Sequence, residues 1–303
     1  MSPSATPFTR RTVLGAALVG AAGLVTGCGP EGSAAPVPMS GPPTDPTSTS
    51  PTPQPSPTTP SPTRASNEEI IAAASVPVLC YHQVRPYEAG DSEYTRQVLV
   101  VEPGRYHEQL DAIADAGYTT IDPAQYEAHL TTGAPLPDKP VILTFDDGKD
   151  NQVTAALPAL LDRGMTGTWF IMTVVIGNTG WTTKEQIREM ADAGIVIGSH
   201  TWDHQDVREY SGEDYTTQFV DSRATLQDLS GQPVETFAFP FGAWRPEALP
   251  HLAEAGYTTA FQLDSEPLDP THPLLTLRRS FAVSTWSGED TVAKLDALSA
   301  PTG

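Results

Sequence analysis

The chain has 303 residues, with 17 basic against 37 acidic side chains and a formal charge of −20. A surface this acidic argues against polyanions such as nucleic acid as partners. The length allows two ordinary domains or one large domain with appendages, and the prolines decide between them. Twelve of the 30 fall between Pro30 and Pro62 among Ser, Thr and Gly, where too little apolar surface exists to offset the chain entropy of folding.

Twin arginines, Arg10 and Arg11, stand directly before the apolar run Val13 to Val25, which is short for a bilayer span and ends in small residues. This pattern predicts an export signal of the twin-arginine type over residues 1–28. Val25-Thr26-Gly27-Cys28 resembles a bacterial lipobox, in which Cys28 is lipidated and becomes the mature N-terminus. Residues 29–75 are expected to form a disordered Pro/Ser/Thr-rich linker. At ~3 Å per residue when extended, it would let the folded unit stand up to roughly 100 Å from a membrane. With Cys28 lipidated, Cys80 is the only remaining thiol, so no intrachain disulfide is available.

From residue 76 to 303 the sequence alternates strand and helix. Val76 to Tyr81 is an apolar, β-branched run, and Tyr106, Leu110 and Ile113 follow at helical spacing. Strands are predicted at Tyr118–Ile121, Val141–Phe145, Thr168–Met172, Ile195–Gly198, Thr236–Phe239, Tyr257–Leu263 and near Leu277–Val283. Helices are predicted at Pro123–Leu130, Val153–Leu161, Lys184–Ala193, Tyr215–Leu229 and Glu247–Ala255. Three of the helices end in the near-repeats Asp115-Ala-Gly117, Asp192-Ala-Gly194 and Glu254-Ala-Gly256, where glycine stops the helix. Seven or eight such rounds favour an α/β barrel over an open sheet.

In a barrel of this kind the chemistry lies where strands pass into the following loops. Tyr81-His82, Asp146-Asp147-Gly148, His200, Pro240-Phe241-Gly242 and Asp264 all occupy such positions. Two adjacent carboxylates at a buried strand's exit repel each other unless one holds a cation or a proton. His200 and His204, at i and i+4, meet on one face if their segment forms a helical turn. One Asp and two His leave an open position on a divalent ion, as in catalytic zinc sites.

Thr144-Phe-Asp146-Asp147-Gly148, His200-x3-His204 and Phe237-Ala-Phe-Pro240-Phe241-Gly242 resemble the first three motifs of the polysaccharide deacetylases with a NodB-homology domain, carbohydrate esterase family 4. The resemblance implies a distorted (β/α)7 barrel and a divalent ion, zinc or similar, held by Asp147, His200 and His204. It further implies Asp146 as general base and the Phe241 backbone N–H as a donor to the tetrahedral oxygen. The substrate class it implies is an N-acetylated cell-envelope or extracellular polysaccharide; with the lipobox, the chain is expected to be a lipid-anchored monomer on the outer side of the cell membrane. The Tyr81-His82 opening resembles the branch acting on extracellular poly-N-acetylglucosamine. Rival readings are an O-acetyl esterase on xylan or another acetylated sugar, and a catalytically silent glycan-binding lipoprotein.

Two departures from the family pattern stand out. Ala238 occupies the place of the arginine that pairs with the base, and no Leu-x-His stands where the usual acid histidine should appear. Arg278 or Arg279 is the candidate for the missing charge, and His82 or His272 for the acid. Trp181, Trp202, Trp244 and Trp286 are candidates for stacking on sugars.

Overall fold

The computed structural model describes residues 64–263 and 266–300. The export signal, Cys28, most of the linker and Asp264 lie outside the described residues. The strands are β1 (Val78–Tyr81), β2 (Gln83–Val84), β3 (Val100–Val101), β4 (Thr119–Thr120), β5 (Pro140–Asp147), β6 (Thr168–Ile171), β7 (Val196–Ser199), β8 (Thr236–Ala238), β9 (Thr259–Phe261) and β10 (Ser280–Phe281). The α-helices are α1 (Asn67–Ala73), α2 (Pro103–Asp115), α3 (Pro123–Thr132), α4 (Leu157–Leu161), α5 (Lys184–Asp192), α6 (Ser222–Ser230), α7 (Ala248–Glu254) and α8 (Gly288–Leu298).

The main sheet runs β10-β1-β5-β6-β7-β8-β9, every pairing parallel, and β4 adds to β5 beside this path. Its two edges meet through one segment. Leu277 exchanges backbone hydrogen bonds with β9, donating to Ala260 at 2.9 Å and accepting from Gln262 at 2.8 Å, and β10 then pairs with β1. The sheet is thus curled, with seven strands on its main path, in the α/β barrel class that the alternating pattern predicts. β2 and β3 form a separate parallel pair.

Period-2 alternation sorts the core into two clusters. Val78, Ile142, Phe170, Ala238 and Phe261 pack together, with Ile70 of α1 and Tyr126 and Leu130 of α3. The alternate residues Leu79, Leu143, Phe145, Trp169, Ile197 and Phe237 pack with the surrounding helices. Phe145 stacks on Trp169 at 4.0 Å, so β5 is anchored on its outer face and its next residue, Asp146, is directed inward. Because both faces of β5 are covered, Val141 to Phe145 reads as a nearly continuous apolar run, interrupted only by the buried Thr144, as buried parallel strands do. The first Asp-Ala-Gly stop behaves as predicted, with Gly117 at φ 79°.

Two helices depart from the sequence reading. The folded unit starts before Val76, because Ser66 and Glu69 form a reciprocal capping box and α1 falls inside the stretch 29–75 expected to be linker. At the other end α8 follows a capping box between Ser287 and Asp290 and packs against α2. Among the described residues six short π-type or 3₁₀ turns replace the first halves of predicted helices or fill loops, as at Gln152–Ala156 ahead of α4 and Thr216–Asp221 ahead of α6.

Candidate active site

Adjacent residues of a strand point to opposite faces, so a site using both Asp146 and Asp147 needs an irregular backbone. Asp147 supplies it with φ 80°, a left-handed conformation costing an aspartate ~1–2 kcal/mol. The turn brings the Asp147 carboxylate to the same pocket as the inward-facing Asp146. Thr201, His204 and Phe241 also have positive φ, at 70°, 64° and 59°. Of the five non-glycine residues with positive φ among those described, four therefore border this one place, the pattern of strain held at a functional site.

The two histidines meet by a route other than the helical turn expected. Residues 200–206 contain no helix, and the left-handed Thr201 and His204 bend the loop until the imidazole centroids stand 4.8 Å apart. Thr201 Oγ1 accepts the His204 backbone N–H at 2.9 Å and fixes the bend. Asp147 Oδ1 lies 3.7 Å from His200 Nε2 and 3.5 Å from His204 Nε2. Donor atoms of all three residues fall within 4.8 Å of one another.

The state of His200 follows from its partners. Its Nδ1 is 2.7 Å from the Ala238 carbonyl oxygen, which can only accept, so Nδ1 carries the proton and Nε2 the lone pair. Burial lowers the His200 pKa to about 4 against the pull of Asp146 and Asp147, so the ring is neutral at pH 7. Its 3.8 Å approach to Asp146 is then not an ion pair. Nε2 is buried without a hydrogen-bond partner. An orphaned lone pair facing a carboxylate and a second imidazole fits a divalent cation, whose binding requires neutral His and ionised Asp.

Asp146 is held differently. Both terminal nitrogens of Arg279 donate to it, at 2.6 and 2.8 Å, and both side chains are buried. Burial alone would raise the Asp146 pKa, but the guanidinium overrides it and keeps the carboxyl well below the usual carboxylate range. Arg279 also donates to Thr144 Oγ1 at 3.1 Å. Arg278, one position earlier and on the opposite face, bonds the Glu266 carbonyl instead. Arg279 therefore supplies the charge that Ala238 cannot.

The structure separates the two acid candidates. His82 lines the pocket, whereas His272 lines another with Arg64 and Asn67 and lies 3.6 Å from Asp269. None of the four tryptophans lines the pocket. Trp181 covers Lys149 at 3.3 Å and Trp244 donates to Gln262 at 2.9 Å. The aromatic lining is Tyr94, Phe239, Phe241 and Phe281 around a cavity of about 240 Å³. Sequence reasoning also missed Gln152, a buried side chain that donates to the carbonyls of His82 and Asp146 and so ties two strand exits together.

Residues 133–260 match the model of the polysaccharide deacetylase family. The Bacillus subtilis protein YxkH, provisionally named a polysaccharide deacetylase, is 30% identical over 184 residues, covering 61% of this chain and 63% of that one. The chain thus spans under two thirds of the length of this relative. The poly-β-1,6-N-acetyl-D-glucosamine N-deacetylase of Escherichia coli K12 is 28% identical over 232 residues, 62% of this chain and 34% of that enzyme. Among solved structures, the Streptococcus pyogenes deacetylase PplD in complex with acetate superposes with a TM-score of 0.67 at 25% identity, covering 73% of this chain and 97% of that one.

Proposed function

We propose that this chain is a zinc-dependent hydrolase that removes acetyl groups from an N-acetylglucosamine-type envelope or extracellular polysaccharide. The observation that carries the reading is the placing of Asp147, His200 and His204 around one point, beside an Asp146 pinned as an anion by Arg279. The Escherichia coli relative, named for an N-acetylglucosamine polymer, supports the substrate class.

Asp147, His200 and His204 would hold the ion, which when bound polarises an acetyl carbonyl and makes nearby water more acidic. Asp146 would take the proton from the attacking water. Arg279 keeps Asp146 ionised and oriented, at a cost in basicity that an acidified water offsets. The Phe241 N–H, presented by a residue at φ 59°, would donate to the tetrahedral oxygen. His82 would protonate the leaving nitrogen.

Zinc-loaded full chain is expected to release acetate from poly-N-acetylglucosamine or peptidoglycan, and His204→Ala to lose both most of the bound zinc and the activity. Release from acetylated xylan alone would replace the proposal with an O-acetyl esterase. No release from any polymer by folded, zinc-loaded protein would leave a glycan-binding role.

For location, the twin arginines and the lipobox support export and lipid anchoring at Cys28. Cys28→Ala is expected to yield soluble or uncleaved protein. Wild-type protein found wholly in the culture fluid, with no lipid on residue 28, would overturn the anchoring.

A further inference from the structure

Cys80, His82 and Asp146 form a second cluster, in which His82 and Asp146 line the pocket and Cys80 is buried behind them, with donor atoms within 4.8 Å of one another. Its chemistry is unsuited to a cation. Both terminal nitrogens of Arg279 already occupy Asp146, and their fixed positive charge repels another. Burial pushes the Cys80 thiol well above its ordinary pKa, so it stays S–H rather than the thiolate a soft metal takes. The thiol also faces the Asp146 carboxylate, which raises its pKa further, and its sulfur is left to accept from the histidine beside it.

The geometry of that contact is specific. Cys80 is fully buried, and its Sγ lies 3.8 Å from His82 Nδ1, within reach for the larger sulfur atom. The residues are two apart, so both side chains leave the same face of the chain. The His82 ring lies against Phe281 at 5.5 Å and makes no other side-chain hydrogen bond among the described residues. With Nδ1 turned to sulfur, Nε2 is the nitrogen left for the pocket.

We propose that Cys80 is a positioning residue whose Sγ accepts the Nδ1–H of His82 and so holds Nε2 towards the pocket. The catalytic consequence rests on the deacetylase reading; the contact itself does not. In the collapse of the tetrahedral adduct the C–N bond breaks and its electron pair goes to nitrogen, which takes the Nε2 proton of the imidazolium. Neutral His82 keeps Nδ1–H on sulfur. The proton that Asp146 took from water returns through solvent, so the sum is amide plus water giving amine plus acetic acid.

The test compares wild type, His82→Ala, Cys80→Ala and Cys80→Ser as zinc-loaded full chains labelled with ring-¹⁵N histidine. His82→Ala sets the full loss of acid catalysis, typically ~10²–10⁴-fold. Cys80→Ala is expected to lower kcat on N-acetylglucosamine oligomers roughly 10-fold while aryl acetate hydrolysis, which needs less acid help, stays within about twofold. KM should not move, and Cys80→Ser, which keeps an acceptor, should recover most of the rate. The ring spectrum should show His82 as the Nδ1–H tautomer when neutral, and a mixture in Cys80→Ala. Equal loss on amide and ester, a serine variant no better than alanine, or an Nε2–H tautomer in wild type would each overturn the proposal. The ring signals need no turnover, so they decide the contact even if absent acetate release sinks the functional reading.

Discussion

Asp146→Asn is expected to lower acetate release by roughly 10²–10⁴-fold with bound zinc unchanged, because the amide keeps the shape of the carboxylate and cannot take a proton. The ion contacts proposed above run through Asp147, His200 and His204, which the substitution leaves in place. It also costs stability. Arg279 is buried and would lose its charged partner, retaining the Asn carbonyl and Thr144 Oγ1 as acceptors. Turnover is therefore to be measured well below the lowered melting temperature and expressed per folded, zinc-loaded molecule. Retention of near-wild-type turnover on that basis would show that Asp146 is not the base.

The pairing behind this expectation was only partly legible in the sequence. The apolar run of β5 announces a strand covered on both faces, and Asp146-Asp147-Gly148 at its exit announces a site, because charge so placed needs a partner. Which partner was hidden. Arg278 and Arg279 are adjacent, and only the phase of the short β10 decides which enters the barrel; a two-residue strand carries too little alternation to fix that phase. The spacing of His200 and His204 suggested a helix, yet left-handed Thr201 and His204 bring them together, and a β-branched threonine gives no sequence signal for that conformation. Helices α1 and α8 could have been found. Ser66-x-x-Glu69 and Ser287-x-x-Asp290 are legible capping signatures, the first obscured by the proline-rich tract before it. Tyr94 sits in an insertion without periodicity, and its place in the pocket is a purely tertiary fact.

Replacing Arg279 by Met should be the most destabilising single change in the site. The bidentate pair is buried on both sides, and removing one partner from a buried ion pair typically costs ~3–5 kcal/mol, or roughly 6–20 °C in Tm for a unit of this size. Titration separates this from a packing loss. In the wild type the folded Asp146 titrates below its unfolded value, so its stabilisation is complete above about pH 4 and is lost as pH falls through the lower folded value. Without the guanidinium, burial dominates and the folded value rises above the unfolded one, so the carboxyl destabilises increasingly as pH climbs above about 4. With zinc chelated, the deficit of Arg279→Met should be widest at neutral pH and narrow on acidification towards 4. Because the damage lies in a buried unpaired charge, adding Asp146→Asn to Arg279→Met should lower stability by less than the sum of the single losses. A deficit constant across that pH range, with the two losses simply adding, would show that Arg279 acts by packing alone.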